Sequence, residues 1–307
     1  MKVNTNNEWS PLQSVVVGSA LGANWPTKGS FRNLEKTTRW TKTPVPSGPV
    51  DKKIIEEATL DLDKLHNVLL SYGVEVYRPN FINYQEIDGF YNYCPRDRIL
   101  ILDDIIVDCN MQYDVREKEI DALDFITKDN KVLKVPRNEN IFFDASNVLR
   151  LGDCLLYLIS ESGNLEGANW LRDNFPHYKI ETTSVYNGIH IDSTFVPIRE
   201  GLIALNGDRI QDKVPKVLSN WDKIWLYKED LPDKEFFNYP YASNYISMNF
   251  LMVNPELAII ESGVPKLEEN FKKYGVEYNT VSFRHSRTLG GGHHCCTLDL
   301  VRGESPT

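Results

Sequence analysis

The chain has 307 residues, of which 41% are hydrophobic and 25% charged, and it carries a net charge of −9. This composition is typical of a globular protein, and the acidic balance argues against nucleic acids and anionic membranes as partners, because both require a basic face. The start of the chain is polar, and no apolar run approaches the roughly 20 residues that span a bilayer. The five cysteines are an odd number spread through the chain, which favours free thiols and a cytoplasmic location.

The predicted elements repeat one order along the chain. Residues 98–108 read as two strands joined by a tight turn, residues 115–128 as a helix, and residues 131–135 as a third strand. The same order returns three times, with hairpins over 147–158, 194–205 and 249–260, helices over 165–175, 213–220 and 265–274, and strands over 179–185, 223–227 and 276–283. A spacing of roughly 50 residues between units indicates a repeat architecture.

A fifth unit is divided between the two ends of the chain. Residues 14–18 and 297–302 each read as a strand without a nearby partner, while residues 51–72 read as a helix and 74–78 as a strand. Pairing the two terminal strands would close a ring and leave no exposed sheet edge at the seam. We therefore predict that residues 1–307 form a single α/β domain. Its fold would be a five-bladed α/β-propeller of strand–strand–helix–strand units around a pseudo-fivefold axis.

The stretch 289–299 joins a turn without side chains to two thiols. It reads Leu-Gly-Gly-Gly-His-His-Cys-Cys-Thr-Leu-Asp. Three glycines permit positive φ angles and a close approach of the backbone, and Cys295 then stands at the start of the last strand, where a nucleophile is useful. Two other interpretations stay open, a metal cluster and a glycine-rich loop with small buried thiols. The metal cluster would comprise His293, His294, Cys295 and Cys296, but these adjacent residues lack the paired spacing of zinc ligands.

Residues with chemically useful side chains occupy equivalent places, just before the first strand of each unit. They are Asp97, Asp144, His190 with Asp192, Ser243 with Ser247, and Cys295. Residues at the same end of like units converge on the axis of a ring, so we predict that these form one site. Each has a plainer explanation on its own, such as a surface ion pair, a turn residue or a core histidine.

These residue types suit covalent catalysis by a thiol. The Cys295 thiolate would be the nucleophile, with its pKa lowered by a neighbouring cation. His190 would act as acid and base, and Asp144 would orient the imidazole. An acidic site suits a cationic substrate, which Asp97 and Asp192 could hold through charge-assisted hydrogen bonds.

Five segments resemble successive motifs of the arginine:glycine amidinotransferase family, in the amidinotransferase branch of the guanidino-group-modifying (pentein) superfamily. They are Cys94-Pro-Arg-Asp97, Phe143-Asp-Ala-Ser-Asn147, His190-Ile-Asp-Ser-Thr-Phe195, Ser247-Met-Asn249 and Leu289-Gly-Gly-Gly-His-His-Cys295. The opening Asn7-Glu-Trp-Ser-Pro-Leu12 and the strand at 15–18 extend the resemblance over nearly the whole chain.

The resemblance implies the α/β-propeller fold and a ping-pong reaction on a guanidinium carbon. Asp97 and Asp192 would grip the planar guanidinium, and His190 would protonate the leaving amine. Cys295 would release ornithine from L-arginine and become an amidino-cysteine. The amidino-cysteine would then pass its amidino group to a primary amine. Glycine is the expected acceptor, and guanidinoacetate would be the product. Neither metal nor organic cofactor is implied. Arg209 and Ser243 would bind the carboxylate end of the substrate, and Asn187 is assigned to substrate binding with them. Related enzymes are often dimers, so a homodimer is expected.

Departures from the family pattern bear on the acceptor amine rather than on the thiol chemistry. Asn147 replaces an acidic residue, Cys296 an aromatic one, and Ile189 a residue able to touch the acceptor; the loop between 109 and 141 is short. Acceptors such as lysine or another amine therefore stay open, as do a hydrolase of the arginine-deiminase type and an inert arginine-binding protein. The loop 22–49, rich in Gly, Pro and Thr, is predicted to be a lid that excludes water.

Overall fold

The computed structural model describes residues 1–27, 44–137 and 140–303. In these residues, strands form five sheets of three strands each and one two-stranded ribbon. The strands are β1 (Leu12–Val17), β2 (Asn24–Trp25), β3 (Gly48–Pro49), β4 (Glu75–Tyr77), β5 (Ile99–Leu102), β6 (Ile105–Asp108), β7 (Lys131–Lys134), β8 (Val148–Arg150), β9 (Cys154–Leu158), β10 (Lys179–Thr183), β11 (Phe195–Arg199), β12 (Leu202–Asn206), β13 (Asp222–Leu226), β14 (Leu251–Asn254), β15 (Leu257–Ile260), β16 (Glu277–Thr280) and β17 (Thr297–Arg302).

The helices of the described residues are mostly short. The α-helices are α1 (Lys52–Ser71), α2 (Asp124–Thr127), α3 (Leu165–Asn174), α4 (Gly207–Ile210), α5 (Pro265–Tyr274) and α6 (Ser286–Leu289). The 3₁₀ helices are Pro95–Asp97, Asp114–Leu123, Ala145–Asn147, Lys216–Leu218, Lys228–Asp230 and Asn244–Met248. Within the described part of the chain, no helix is both long and apolar enough to cross a membrane.

All five three-stranded sheets share one pattern of pairing. The middle strand runs antiparallel to one neighbour and parallel to the other, and the middle strands are β1, β6, β9, β12 and β15. In the first sheet the antiparallel partner of β1 is β17, with Val16 opposite Leu298. The repeated three-stranded sheet and the pairing of the two ends of the chain are thus confirmed. The arrangement of the five sheets around a common axis stays a prediction.

Three hairpin turns lie where the sequence places them. Asp103, Gly152 and Gly201 have φ angles of 51°, 81° and 80°, which is the left-handed region that tight turns between antiparallel strands require. The backbone conformation of these residues therefore sets the three turns.

The long helix α1 follows the predicted range closely. Asp51 accepts a hydrogen bond from the backbone N–H of Lys53 and so caps the helix. One face of α1 is apolar and buried, through Ile54, Ala58, Leu62, Leu65 and Leu69. These side chains join β1 residues such as Val15 in a single hydrophobic cluster, and this burial holds the helix against its sheet.

Two predicted helices are shorter or different in the structure. Residues 115–128 fold mainly as the 3₁₀ helix Asp114–Leu123, followed by α2. Residues 213–220 contain only the 3₁₀ turn Lys216–Leu218, so the predicted helix there is wrong. The physical reason is Pro215, which disfavours helical backbone at the preceding residue and lets helical structure begin only after itself.

A buried ion network joins the first residues of the chain to several sheets. Glu8 binds both Nε and Nη2 of Arg150, and the Asp299 carboxylate of β17 accepts from Arg96, Arg150 and Arg302. All five side chains are buried. Removing one partner of such a network leaves an uncompensated charge and typically costs about 3–5 kcal/mol of unfolding free energy. The network therefore fixes how the segments around the candidate site meet.

Candidate active site

Cys295 is held two residues before β17 by the glycine turn that precedes it. Gly290 has a φ of +82°, and a Cβ on Gly291 would lie 2.3 Å from the sulfur of Cys94. The backbone N–H of Cys295 donates to Asn249 Oδ1 over 2.9 Å, and its thiol donates to Asp192 Oδ2 over 3.3 Å. The structure confirms that the glycines serve a tight turn and a close approach, which places the sulfur beside a carboxylate.

His190 lies between two carboxylates. Its Nε2 is 3.0 Å from Asp144 Oδ2, and its Nδ1 is 3.5 Å from Asp97 Oδ1. Burial by itself would lower the pKa of His190, but the charge of Asp97 and the hydrogen bond and charge of Asp144 outweigh it and raise the pKa to about 9. The imidazole therefore carries a proton at neutral pH and can act as an acid.

The loop that carries His190 is tied to the neighbouring sheet through one backbone carbonyl. The carbonyl of Ile189 accepts hydrogen bonds from Asn147 Nδ2 and from the hydroxyls of Ser160 and Ser162. Asn147, which departs from the family pattern, is fully buried and does not line the cavity described below. Its amide positions the histidine loop.

Asp97 already has partners within the protein. Its Oδ2 accepts from Arg116 Nη1 over 2.9 Å, and its Oδ1 accepts from the hydroxyl of Ser146 over 2.6 Å. Arg116 also binds the buried carboxylate of Glu119. Sequence reasoning missed Arg116, because an Arg and a Glu three residues apart in a charged segment look like an exposed pair. Asp97 therefore meets a substrate only with the lone pairs that these bonds leave free.

Asp192 links Cys295 to a second histidine. Its Oδ2 is 2.8 Å from Nδ1 of His294, whose Nε2 is 3.1 Å from Oε2 of Glu8. Burial would raise the pKa of Asp192, but its hydrogen bond and electrostatic interaction with His294, together with the charge of His190, lower it to about 2. Asp192 is therefore an anion beside the sulfur.

Arg209 follows β12 and lies against two aromatic rings. Its guanidinium carbon is 4.0 Å from the ring centre of Tyr186 and 4.7 Å from that of Tyr245. Nη2 donates to the hydroxyl of Ser243 over 3.0 Å, and Nη1 donates to the hydroxyl of Thr194 over 2.8 Å. These neutral partners leave the charge of Arg209 for an anionic group.

The structure brings most of the predicted site residues to one cavity. Its walls include Asp97, Asp144, His190, Asp192, Arg209, Ser243 and Cys295, and its volume is about 100 Å³. Other walls are aromatic or apolar, among them Phe90, Tyr113, Tyr186, Ile189 and Tyr241. Asn187 is exposed and is not among the residues that line the cavity, so the structure does not bring it to the others.

The pKa of the Cys295 thiol is raised, whereas the sequence predicts a lowered one. Its contact with the Cys94 thiol, its burial and the charges of Asp192 and Asp97 all raise its pKa well above the ordinary value. In the protein without substrate the sulfur is therefore protonated. A cation that enters the cavity would oppose the two carboxylates and lower that pKa again.

The two adjacent histidines of the glycine stretch contact different partners. His293 contacts the carbonyl of Val281 over 2.6 Å, and His294 contacts carboxylates as described above. Within residues 1–27, 44–137 and 140–303, no group of three or more His, Cys, Asp or Glu side chains is arranged to hold a metal ion.

The predicted lid lies mainly outside the described residues, which omit 28–43. At its base, β2 and β3 pair with each other. The Trp25 ring stacks on Tyr241 with their centres 4.8 Å apart, so the base of this loop packs on a wall of the cavity.

Comparison with solved structures defines the class of fold. The inosamine-phosphate amidinotransferase of Streptomyces griseus superposes with a TM-score of 0.89 and 32% identity, covering 99% of this chain and 97% of that one. DDAH from Pseudomonas aeruginosa, at 14% identity and a TM-score of 0.68, shares the fold alone, over 94% of this chain and 99% of that one. The chain therefore has the mixed α/β pentein fold.

Sequence comparison narrows the assignment to one family. No family model matches the chain. Inosamine-phosphate amidinotransferase 1 of Streptomyces griseus is 33% identical over 98% of this chain and 97% of its own length. The mitochondrial glycine amidinotransferase of Xenopus tropicalis is 27% identical over 96% of this chain and 82% of its own length. The chain belongs to the amidinotransferase family.

Proposed function

We propose that this protein transfers the amidino group of L-arginine, through an amidino-cysteine on Cys295, to a primary amine other than glycine. The observation that carries the proposal is a single cavity. Cys295 and Asp192 meet there, His190 lies between Asp97 and Asp144, and Arg209 lines the same walls.

The cavity matches arginine at both of its ends. The guanidinium, which is planar and positively charged, pairs with the anionic carboxylate of Asp192 and with the free lone pairs of Asp97. The α-carboxylate pairs with Arg209, whose partners within the described residues include Ser243 and two tyrosine rings. A donor held at both ends places its guanidinium carbon next to the sulfur.

Binding of the donor prepares the nucleophile. The guanidinium lowers the raised pKa of the Cys295 thiol, whose proton passes to solvent, and the resulting thiolate attacks the guanidinium carbon. The bond from that carbon to the δ-nitrogen breaks, and ornithine leaves with the proton of His190. The amidino-cysteine keeps the positive charge. The neutral imidazole then takes a proton from the second amine as that amine attacks the amidino carbon, and the thiolate is released.

The expectation that glycine is the acceptor needs correction. Glycine is the acceptor named for the relative at 27% identity, whereas the relative at 33% identity is named for an inosamine phosphate. Acceptors thus vary within the family, and the amine of a larger molecule fits this chain better than glycine. Ile189 and the aromatic side chains of the cavity wall are consistent with a larger acceptor.

Three further statements belong to the same proposal. The five sheets are the blades of a propeller around the cavity, residues 1–307 work as one domain, and the protein acts in the cytoplasm as a homodimer. Light scattering after size-exclusion chromatography tests the dimer, and a mass of one chain would contradict it.

Labelled arginine tests the reaction. The protein is incubated with L-arginine carrying ¹⁵N in the guanidino group, first alone and then with a panel of amines that includes glycine, lysine, ornithine, simple amines and a phosphorylated aminocyclitol. We expect a labelled adduct on Cys295, ornithine in solution, and labelled product with an amine larger than glycine. Citrulline without amine dependence would favour the hydrolase. Bound arginine that never labels Cys295 would favour the inert binding protein.

A further inference from the structure

We propose that His294 is a positively charged positioning residue that holds the Asp192 carboxylate against Cys295. The inference deepens the proposed function and rests on it, because it concerns how the same site binds a guanidinium. It starts from the second histidine of the glycine stretch, to which the reaction described above assigns no role.

Both ring nitrogens of His294 face carboxylate oxygens. Nδ1 is 2.8 Å from Asp192 Oδ2, and Nε2 is 3.1 Å from Glu8 Oε2. A carboxylate accepts hydrogen bonds and cannot donate them, whereas a neutral imidazole has only one N–H. A neutral ring would set one nitrogen lone pair against an oxygen lone pair. Both contacts become hydrogen bonds only when both nitrogens carry protons, and the ring is then a cation.

The carboxylate of Glu8 is ionised, because the charge and hydrogen bond of Arg150 outweigh its burial and hold its pKa well below the ordinary value. Glu8 therefore cannot supply a proton to Nε2 of His294. At the other contact, Asp192 Oδ2 already accepts from the Cys295 thiol, an arrangement that suits a carboxylate facing a second donor.

The other charges around His294 act in both directions. Arg96 donates to the carbonyl of His294, and Arg150 shares Glu8, so two guanidiniums oppose a further positive charge. Asp299 binds Arg96, Arg150 and Arg302 and offsets part of their charge. The ring nitrogens themselves touch only the carboxylates among these groups, and Coulomb interactions weaken with distance. The direct contacts therefore favour the imidazolium.

One oxygen joins this histidine to the nucleophile. Asp192 Oδ2 accepts from both His294 Nδ1 and the Cys295 thiol. The imidazolium thus keeps Asp192 negative and fixes its orientation although the side chain is buried. Without that charge, burial would raise the pKa of Asp192, and its neutral form would bind a guanidinium weakly. The fixed charge also ties the opening segment, through Glu8, to the reacting sulfur.

The neighbouring histidine provides a matched control. His293 is as buried as His294, but its Nε2 faces the carbonyl of Val281, its ring stacks on Phe283, and burial lowers its pKa. Its substitution disturbs the same turn without changing the charge at Asp192.

The first test is direct and needs no substrate. The ¹⁵N resonances of the histidine rings are recorded from about pH 6 to about pH 9, and those of His294 are assigned by their loss in His294→Asn or His294→Gln. We expect both nitrogens of His294 to be protonated at pH 7. A neutral tautomer at pH 7 would overturn the inference whatever the enzyme does with arginine.

The second test separates charge from structure by measuring binding instead of turnover. Dissociation constants for arginine are measured by calorimetry at pH 8 and pH 5 in Cys295→Ala, alone and combined with His294→Asn or His293→Asn. The asparagine keeps one donor for Asp192 but no charge. We expect the His294→Asn combination to bind arginine about tenfold more weakly at pH 5 than at pH 8. A tenfold loss means that the pKa of Asp192 has risen to about one unit above the lower pH, so that most of this carboxyl is neutral there. The other two proteins should change little.

The outcomes separate this inference from the proposed function. Equal pH dependence in all three proteins would mean that His294 has only a structural role and would overturn the inference. If Cys295→Ala does not bind arginine at all, the proposed function fails, and the ring resonances still decide the charge of His294.

Discussion

Replacing Asp144 with Asn tests whether this carboxylate sets the charge of His190. The Asp144 Oδ2 to His190 Nε2 distance of 3.0 Å is that of a charge-assisted hydrogen bond. The amide has nearly the same size, so the change removes charge with little change in packing. The loop that carries His190 keeps its separate ties from Asn147 and Ser160.

The magnitude follows from the pKa of His190, which is about 9 against an ordinary value of 6.5. That difference corresponds to about 3 kcal/mol in favour of the imidazolium. Burial opposes it, and Asp97 and Asp144 share the favourable part. Because burial opposes the shift, the favourable part exceeds this net value; if Asp144 supplies half of it, its loss costs at least about 1.5 kcal/mol and lowers the pKa of His190 by at least about one pH unit. Loss of the orienting carboxylate should also reduce kcat by about 10²–10⁴, as in other triads.

The assay is the initial rate of ornithine release at saturating substrates, measured from about pH 6 to about pH 10. His190 acts as an acid only while it is protonated, and this function is lost as the pH rises through its raised pKa. The wild-type rate should therefore fall above about pH 9, and the Asp144→Asn rate at least about one unit earlier. Asp103→Asn is the control, because Asp103 makes a similar contact of 2.9 Å to the exposed His177, and neither residue lines the cavity. An alkaline limb at the same pH in Asp144→Asn and the wild type would refute the reasoning.

Three shorter predictions concern the other site residues. Cys295→Ala should abolish ornithine release while Cys296→Ala keeps most of it, since only Cys295 lines the cavity; the reverse result would misplace the nucleophile. Without substrate, iodoacetamide should alkylate Cys295 more slowly at pH 7 than a free thiol, because its pKa is raised; a rate like that of a thiolate would contradict this. Asn187→Ala should change KM for arginine less than about twofold, because Asn187 does not line the cavity. Arg209→Gln should raise KM at least about tenfold, because the charge-assisted bonds to the substrate are lost. Equal effects of the two substitutions would contradict the positions of the two side chains.

The repeated unit was predictable from local patterns. Apolar alternation, turn residues such as Gly152 and Gly201, and the apolar face of α1 all act over a few neighbouring residues, so the sequence indicates them before any tertiary contact is known. The division of the fifth unit between β1 and β17 followed, because two strands lacked partners. The helix over 213–220 failed where Pro215 overrode the apolar pattern.

Several contacts that shape the site depend on residues far apart in the chain. Arg116 contacts Asp97 across 19 residues, and His294 contacts Glu8 across 286. Neither pair has a local pattern, because a buried contact between distant segments leaves no spacing in the sequence. The sequence by itself determined the repeated sheets and the residue types that suit guanidine chemistry. Only the tertiary structure decided which groups are charged, because burial and the distances between carboxylates and their cations fix the pKa values of Cys295, His190 and Asp192.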